Sequence, residues 1–422
     1  MESRTIRIAI IGGGLAGASL ANALIRIPQL DIHVFESAPE FSERGAAIGL
    51  ACNAQRALQQ FVPSSMELLG AAGAVPMRSS RLMMGCGPQA GMFVCDVGEQ
   101  DLEPSLVVHR ASLLRELLAP LPREALHANK KVTSIQPTPT GGSIVTFQDG
   151  QPERFDAIIG ADGVFSIVRK HVVASDEWIG TPSGFWDSRN LIPFDRAKAV
   201  LGAEYFEADR QYGWAGDGAY FLHDVLEDRT MVQCVMSGTE KESPPHRIHK
   251  LTRSLLEEKL RTWSDGPIAG KMIDLLLDQP NPEGYSAWEH KTTSTYANGC
   301  ICIVGDAAHA MTPWQGAGAG QAIEDAMVMG ALLTKVSSAD DIPTAFQAFD
   351  AVRRPRCQQI IDSSRGTGQI MCGQDPDVQL DLEKMKESLK RRWKLIHALD
   401  MAKHQEDALR KMQEFERAGI VS

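Results

Sequence analysis

The sequence predicts an α/β fold: a mainly parallel sheet, interrupted by an inserted antiparallel β-sheet and closed by a C-terminal helical tail. Three observations carry this expectation. The apolar run Ile6–Ile11 leads into Gly12-x-Gly14-x-x-Gly17 and then a helical stretch. Two further glycine-and-aspartate phrases, Gly160-Ala161-Asp162-Gly163 and Gly305-Asp306-Ala307-Ala308-His309, each follow a short apolar run of strand type. Between these two phrases, residues 181–290 carry frequent aromatics and alternating runs such as Thr230–Met236.

In chain order, Ile6–Ile11, Gly12–Gly17 and Ala18–Ile25 read as strand, turn and helix, and Asp31–Phe35 as a second strand ending at Glu36. The interval from Gly12 to Glu36 is that of a Rossmann-like βαβ dinucleotide unit. Val108–Leu118 reads as a strand end and a helix, with Ser112 as its N-cap. Val132–Ile135, Ser143–Phe147 and Phe155–Ile159 read as strands separated by Gly141-Gly142 and Asp149-Gly150 turns. In the aromatic-rich insertion, Leu251–Leu260 and Ile268–Leu277 are expected as helices outside an antiparallel sheet that walls a pocket. Lys241–His249 is expected as an exposed loop. Ala322–Leu333 and Pro343–Ile361 read as helices, and Glu383–Ala418 as a charged amphipathic helical tail. The implied division is 1–180 and 291–365 for a two-part nucleotide-binding domain, 181–290 for the insertion and 366–422 for the tail.

The net charge of -10 argues against nucleic acid as a partner, because phosphate backbones select basic surfaces. Local backbone amides still suit an anionic cofactor. The eight cysteines show no CxxC pairing, so buried reduced thiols are expected and no metal site. No signal peptide or uncharged apolar run of membrane-spanning length is visible, and Ile420-Val421-Ser422 is no peroxisomal signal. The expectation is a cytoplasmic protein, monomer or homodimer, with no membrane span.

Three glycine-and-aspartate turns, each at a strand end, point to one extended ligand touched from three places, best met by a flavin dinucleotide. Gly12 permits the tight turn, Gly14 admits a pyrophosphate to the backbone, and Gly17 lets helix and strand pack closely. Glu36 would accept bonds from adenosine ribose hydroxyls. A carboxylate at Asp306 could accept two hydroxyl donors from such a ligand. The small residues Gly316 to Ala319, Gly318 and Ala319 among them, let a helix N-terminus approach a flavin ring.

Together these phrases resemble the single-component FAD-dependent aromatic hydroxylases, within them the salicylate-hydroxylase-like branch. The resemblance spans roughly residues 5 to 360. It implies that Asp162, with Ser166 and Arg169, lies by the flavin pyrophosphate and the path of the nicotinamide, and that Asp306 binds the ribityl chain. Arg110, after Val107-Val108-His109, matches an arginine reaching the flavin phosphate or ribityl region. Ala47, in Gly45-Ala46-Ala47-Ile48-Gly49, stands in a flavin-contacting segment where relatives often carry glycine. Arg189 falls where some relatives hold an anionic group of the substrate, with pairing to Asp187 or Asp217 as the alternative. Asp224 stands where dearomatising relatives carry a tyrosine that assists deprotonation, which leaves His223 or Tyr220 as the base or hydrogen-bond partner. Trp314 stands ready to stack on substrate or flavin, or to fill core, and His309 to brace its loop.

The activity implied is an FAD-dependent, NADH- or NADPH-consuming monooxygenase. It would use O2, through a flavin C4a-hydroperoxide, to hydroxylate a small phenolic or aromatic-acid substrate, with decarboxylation where the carboxylate-bearing carbon is attacked. Alternatives are an epoxidase or other oxygenase of a secondary metabolite and, more remotely, an NAD-dependent dehydrogenase. A flavin halogenase is disfavoured, since no Trp-x-Trp pair occurs.

Overall fold

The computed structural model describes residues 5–42, 47–97, 103–139, 141–173, 178–208, 210–226 and 229–419. Its six-stranded sheet runs Ala297–Asn298, Ile301–Ile303, Ala157–Gly160, Ile6–Ile11, Leu30–Phe35, Leu126–His127. All neighbours are parallel except the first pair. Ile6–Ile11 is central and almost wholly buried, as a strand covered on both faces must be. The ends of Ile6–Ile11, Ala157–Gly160 and Ile301–Ile303 therefore lie side by side, and the three glycine phrases leave the sheet together.

The second layer is an eight-stranded sheet, in order Ile248–Lys250, Glu283–Glu289, Thr181–Pro193, Met231–Thr239, Ala219–Leu226, Arg210–Gly216, Ser79–Met84 and Phe93–Val97. It is antiparallel except for the pair Arg210–Gly216 and Ser79–Met84. Its outer face buries Trp186, Trp214, Phe221 and Met236 against Leu256 of helix Arg253–Lys259 and Met272 and Leu276 of helix Ala269–Leu276. Its inner face looks toward the nucleotide-binding sheet.

Several expectations need correction. The inserted sheet borrows Ser79–Met84 and Phe93–Val97 from the N-terminal part, outside residues 181–290. Phe155–Ile159 is two strands, because Asp156 leaves the ladder to accept the Arg7 amide at 2.9 Å. Ser112 is not an N-cap: the helix starts at Arg110, directly after the strand Ser105–His109. Lys241–His249 contains the start of an edge strand, Ile248–Lys250. The tail is three helices, Leu382–Lys390, Lys394–His397 and Met401–Ala418. It restarts where Asp381 and Asp400 accept the Lys384 and Lys403 amides, each capping a new first turn. Among the described residues all cysteines are free thiols, and no helix is long and apolar enough to cross a membrane.

Candidate active site

A cavity of about 710 Å³ runs from the first glycine turn to the inner face of the eight-stranded sheet. Gly12, Gly14 and Glu36 line one end, with Arg110, Asp162 and Asp306 farther along. Gly14 caps helix Leu15–Leu24, whose first turn carries no acidic residue, so its amides and dipole favour an anion. Gly12 has φ of 110°, and a side-chain carbon there would stand 2.3 Å from the Ala161 carbonyl oxygen. At Gly17 it would stand 2.0 Å from the Gly12 oxygen, so Gly17 packs the helix on the turn and does not itself line the cavity. Glu36 accepts the Gly13 amide at 2.9 Å and the Ala38 amide at 2.7 Å, which fixes the turn's edge.

The second and third phrases are fastened to each other. Asp162 accepts the Ser166 hydroxyl and the Ile167 and Val168 amides, so its side chain holds its own turn while the residue lines the cavity. Buried Arg169 donates to the carbonyl oxygens of Ala307 at 3.0 Å and Ala308 at 3.2 Å. Asp306 opens the turn Asp306–His309 and is exposed within the cavity. Behind it, His309 and the Gly305 amide both bond Asp325 Oδ2, at 2.7 Å and 2.9 Å. Arg353 donates to Asp325 Oδ1 at 2.7 Å and to Glu324 Oε2 at 2.6 Å, all fully buried. Burial opposes ionisation of both carboxylates. Arg353 and Arg356 beside Glu324, and His309 and Arg353 beside Asp325, nonetheless hold each at about 2. Gly318 and Ala319 begin helix Gly318–Leu333 and face the cavity.

At the other end, strand Ala219–Leu226 alternates in the expected way. Tyr220, Leu222 and Asp224 face the cavity, while Phe221 and His223 face away. His223, expected as a base candidate, is therefore not brought to the site. It is buried against Tyr212, with ring centroids 5.4 Å apart, and burial pushes it down to about 3. Burial pushes the Tyr220 phenol well above its ordinary range, so it stays a protonated donor. Arg189 lines the cavity and is hydrogen-bonded to Asp187, two residues away on the same face. Trp314 meets Phe185 and Tyr220 edge-on at 5.0 Å and 5.6 Å.

Asp224 is the least expected member. It accepts the Gln211 carboxamide at 2.9 Å and the Gln233 carboxamide at 3.3 Å. Burial pushes it up to about 6, against those two hydrogen bonds and the Arg189 charge. Gln233 in turn accepts the Ala47 amide at 3.0 Å, joining the sheet to the segment Ala47–Leu50. Gly45 and Ala46, of the same expected flavin-contacting phrase, lie outside the described residues.

The 6-methylsalicylate 1-monooxygenase of Aspergillus terreus is 33% identical over 426 residues, covering 96% of this chain and 92% of that protein. The chain belongs to the single-component FAD-dependent aromatic hydroxylases, in their salicylate-hydroxylase-like branch. The family profile for an FAD binding domain matches residues 271–364. Salicylate hydroxylase of Pseudomonas putida is 28% identical over 416 residues, covering 94% of this chain and 93% of its own. The fold agrees with a salicylate hydroxylase solved as a substrate complex, with a TM-score of 0.83, 24% identity and coverage of 97% and 98%. Klebsiella pneumoniae HpxO, complexed with FAD and uric acid, superposes with a TM-score of 0.74 at 23% identity, over 96% of this chain and 97% of that one.

This aromatic hydroxylase is an FAD-dependent monooxygenase, and its residues fit the cofactor. Side-chain carbons built at Gly49, Gly163, Gly316 and Gly318 would meet no atom within 4 Å, and all four glycines line the cavity. Backbone is thereby laid bare at four points along the cavity wall. Sequence reasoning missed Gln211 and Gln233, and also Trp393 and His397, which the tail brings to the cavity. The alternation of strand Ala219–Leu226 was a readable signal that Tyr220 and Asp224 share a face which His223 cannot. Nothing local marked the other four.

Proposed function

We propose that the protein hydroxylates a small phenolic or aromatic-acid substrate, with NADH or NADPH as electron donor and dioxygen as oxygen source. One observation carries the reading. The FAD cradle opens directly onto a sheet face presenting a guanidinium (Arg189), a protonated phenol (Tyr220) and a buried carboxylate (Asp224) among Leu222, Val235 and Trp314. An aromatic ring with one anionic and one hydroxyl substituent matches that set. Two relatives carry the names of such compounds, 6-methylsalicylate and salicylate.

When bound, FAD would supply the redox chemistry that links a nicotinamide donor to dioxygen. The protein's part is placement. Asp306 would accept ribityl hydroxyls, and the first amides of helix Gly318–Leu333 offer partial positive charge where negative charge accumulates. Arg189 would exchange part of its bond with Asp187 for a forked pair to the substrate carboxylate. Tyr220 donates a hydrogen bond, and Trp314 with Phe185 keeps water from that wall. The test supplies labelled dioxygen, NAD(P)H and a panel of hydroxybenzoates. One labelled atom in the organic product supports hydroxylation. Label confined to water or peroxide across the panel rejects it, and label in an epoxide favours the epoxidase reading.

A further inference from the structure

We infer that Asp224 is the specificity-determining acceptor that recognises a free hydroxyl on the substrate ring. The inference deepens the hydroxylase reading above and rests on it. Its basis is a row of polar side chains that crosses the inner face of the sheet. Ser80 pairs with Gln211 across the parallel strands, and Asp224 pairs with Gln233 across the antiparallel ones. The Ser80 hydroxyl lies 2.8 Å from Gln211 Oε1, Gln211 Nε2 donates to Asp224 Oδ2, and Gln233 Nε2 donates to Asp224 Oδ1.

The donor directions in this row are forced. The Ala47 amide can only donate, so Gln233 must turn its carbonyl oxygen to Ala47 and its amino group to Asp224. Asp224 receives one donor on each oxygen, from neighbours within the sheet, while each carboxylate oxygen can accept two. The remaining acceptor positions belong to a residue that lines the cavity. A substrate group placed there satisfies the carboxylate only by donating. A phenolic hydroxyl does so; a methoxy group or a bare ring edge leaves a buried carboxylate short of partners, which is how a site rejects an analogue.

Other groups around Asp224 leave it the acceptor. Arg189 acts on it through its charge, while its guanidinium is hydrogen-bonded to Asp187. Tyr220 on the same strand and Cys234 on the next are held protonated by burial, with the charge of Asp224 adding to the effect. Arg210, on the neighbouring strand, lies 3.7 Å from Asp96. His223 is neutral and on the opposite face. Asparagine can be housed in place of Asp224. Its oxygen takes the Gln233 donor, and its amino group faces a flipped Gln211, because the Ser80 hydroxyl can accept as well as donate. Asp224→Asn therefore tests recognition without emptying the site.

The experiment uses the FAD-loaded enzyme. Binding is read from perturbation of the flavin absorption by a hydroxybenzoate and by its O-methyl ether, and turnover from product formed with NAD(P)H. The wild type should bind the hydroxybenzoate at least about tenfold more tightly than the ether. Asp224→Asn should cut that ratio to about threefold or less and lower kcat/KM about 10–100-fold, with FAD content unchanged. The acid limb of the wild-type kcat/KM profile, falling below about pH 6, should vanish in the variant. Equal wild-type affinity for hydroxybenzoate and ether overturns the inference whether or not the variant folds. So does an Asp224→Asn protein that keeps the wild-type ratio and acid limb. Hydroxyl-selective binding without labelled oxygen in any product would instead sink the hydroxylase reading and leave recognition by Asp224 standing.

Discussion

The two ends of the cavity are built on different principles. At the end proposed for the cofactor, most of the lining comes from runs of a few consecutive residues that turn at the end of a buried strand, and the second and third of these turns are bolted together from behind. Arg169 ties the second phrase to the third, and Arg353, Glu324, Asp325 and His309 hold the third from below. At the substrate end no two neighbouring residues act together. Arg189, Tyr220, Asp224 and Gln233 reach the cavity from separate points on three strands, and they meet only because register and side-chain alternation bring them to one face. The cofactor end should therefore fail by losing stability or FAD, and the substrate end by losing selectivity with the fold intact.

The largest effect expected is at the bolt behind the cofactor end. Arg353→Ala leaves Glu324 with Arg356 and Asp325 with His309, each fully buried carboxylate short of the guanidinium that Arg353 gives it. Breaking a buried pair on one side costs about 3–5 kcal/mol, and thermal or urea unfolding of the apoprotein would measure it. A variant within about 1 kcal/mol of wild type would show that the network is not what holds the third phrase. Next is Asp306→Ala, which removes the exposed carboxylate while leaving that network untouched. FAD affinity should fall about 10–100-fold, the range for a lost hydrogen bond to a charged group, with the unfolding midpoint of the apoprotein unchanged. Flavin titration decides it, and wild-type affinity would remove Asp306 from the cofactor contacts.

The contrast also explains what was legible. Gly12, with φ of 110° and a carbonyl 2.3 Å from where a side chain would stand, leaves a mark in the sequence because only glycine fits there. The three phrases were readable for that reason, and so was the α/β class with its inserted sheet. Register is not written locally, so the row Ser80, Gln211, Asp224 and Gln233 was invisible. So was the recruitment of Ser79–Met84 into the inserted sheet. The tail is legible as helical from Glu383 to Ala418, but its internal break is not, because Asp400 looks like an ordinary surface acid until its capping bond is seen. That tail carries Trp393 and His397 to the cavity, which no spacing foretold.

At the substrate end, Arg189→Lys should leave FAD content and unfolding unchanged while lowering kcat/KM for a carboxylate-bearing phenol about tenfold or more. Lysine keeps the charge and loses the fork. The same variant should be nearly silent on a phenol that lacks the carboxylate, and that second substrate is the sharper measurement. A drop on both would mean that Arg189 serves the wall through Asp187. Wild-type kcat/KM on both would remove it from substrate binding.

The smallest effect expected is at His223, and it tests alternation directly. If the strand Ala219–Leu226 truly turns Tyr220 and Asp224 inward, His223 belongs to the outer core and has no part in the chemistry. His223→Leu should then keep kcat/KM within about twofold at every pH, because a group held neutral down to about pH 3 contributes no ionisation to an activity profile above that. Its effect should appear in stability, with a definite sign. Burial lowers the folded pKa of His223 to about 3, while the unfolded side chain titrates near about 6.5. The unfolded state therefore binds the extra proton first, and wild-type stability falls as the pH drops from about 6.5 toward about 3. Leucine carries no such proton. At pH 8 the variant should be less stable by about 1 kcal/mol, having lost the weak 3.5 Å bond from Trp214 and the stacking on Tyr212. At pH 5 that deficit should shrink or reverse. Unfolding at the two pH values measures the crossing. A variant whose kcat/KM collapses while its stability follows the wild type at both would put His223 back in the active site and break the distinction between the two faces.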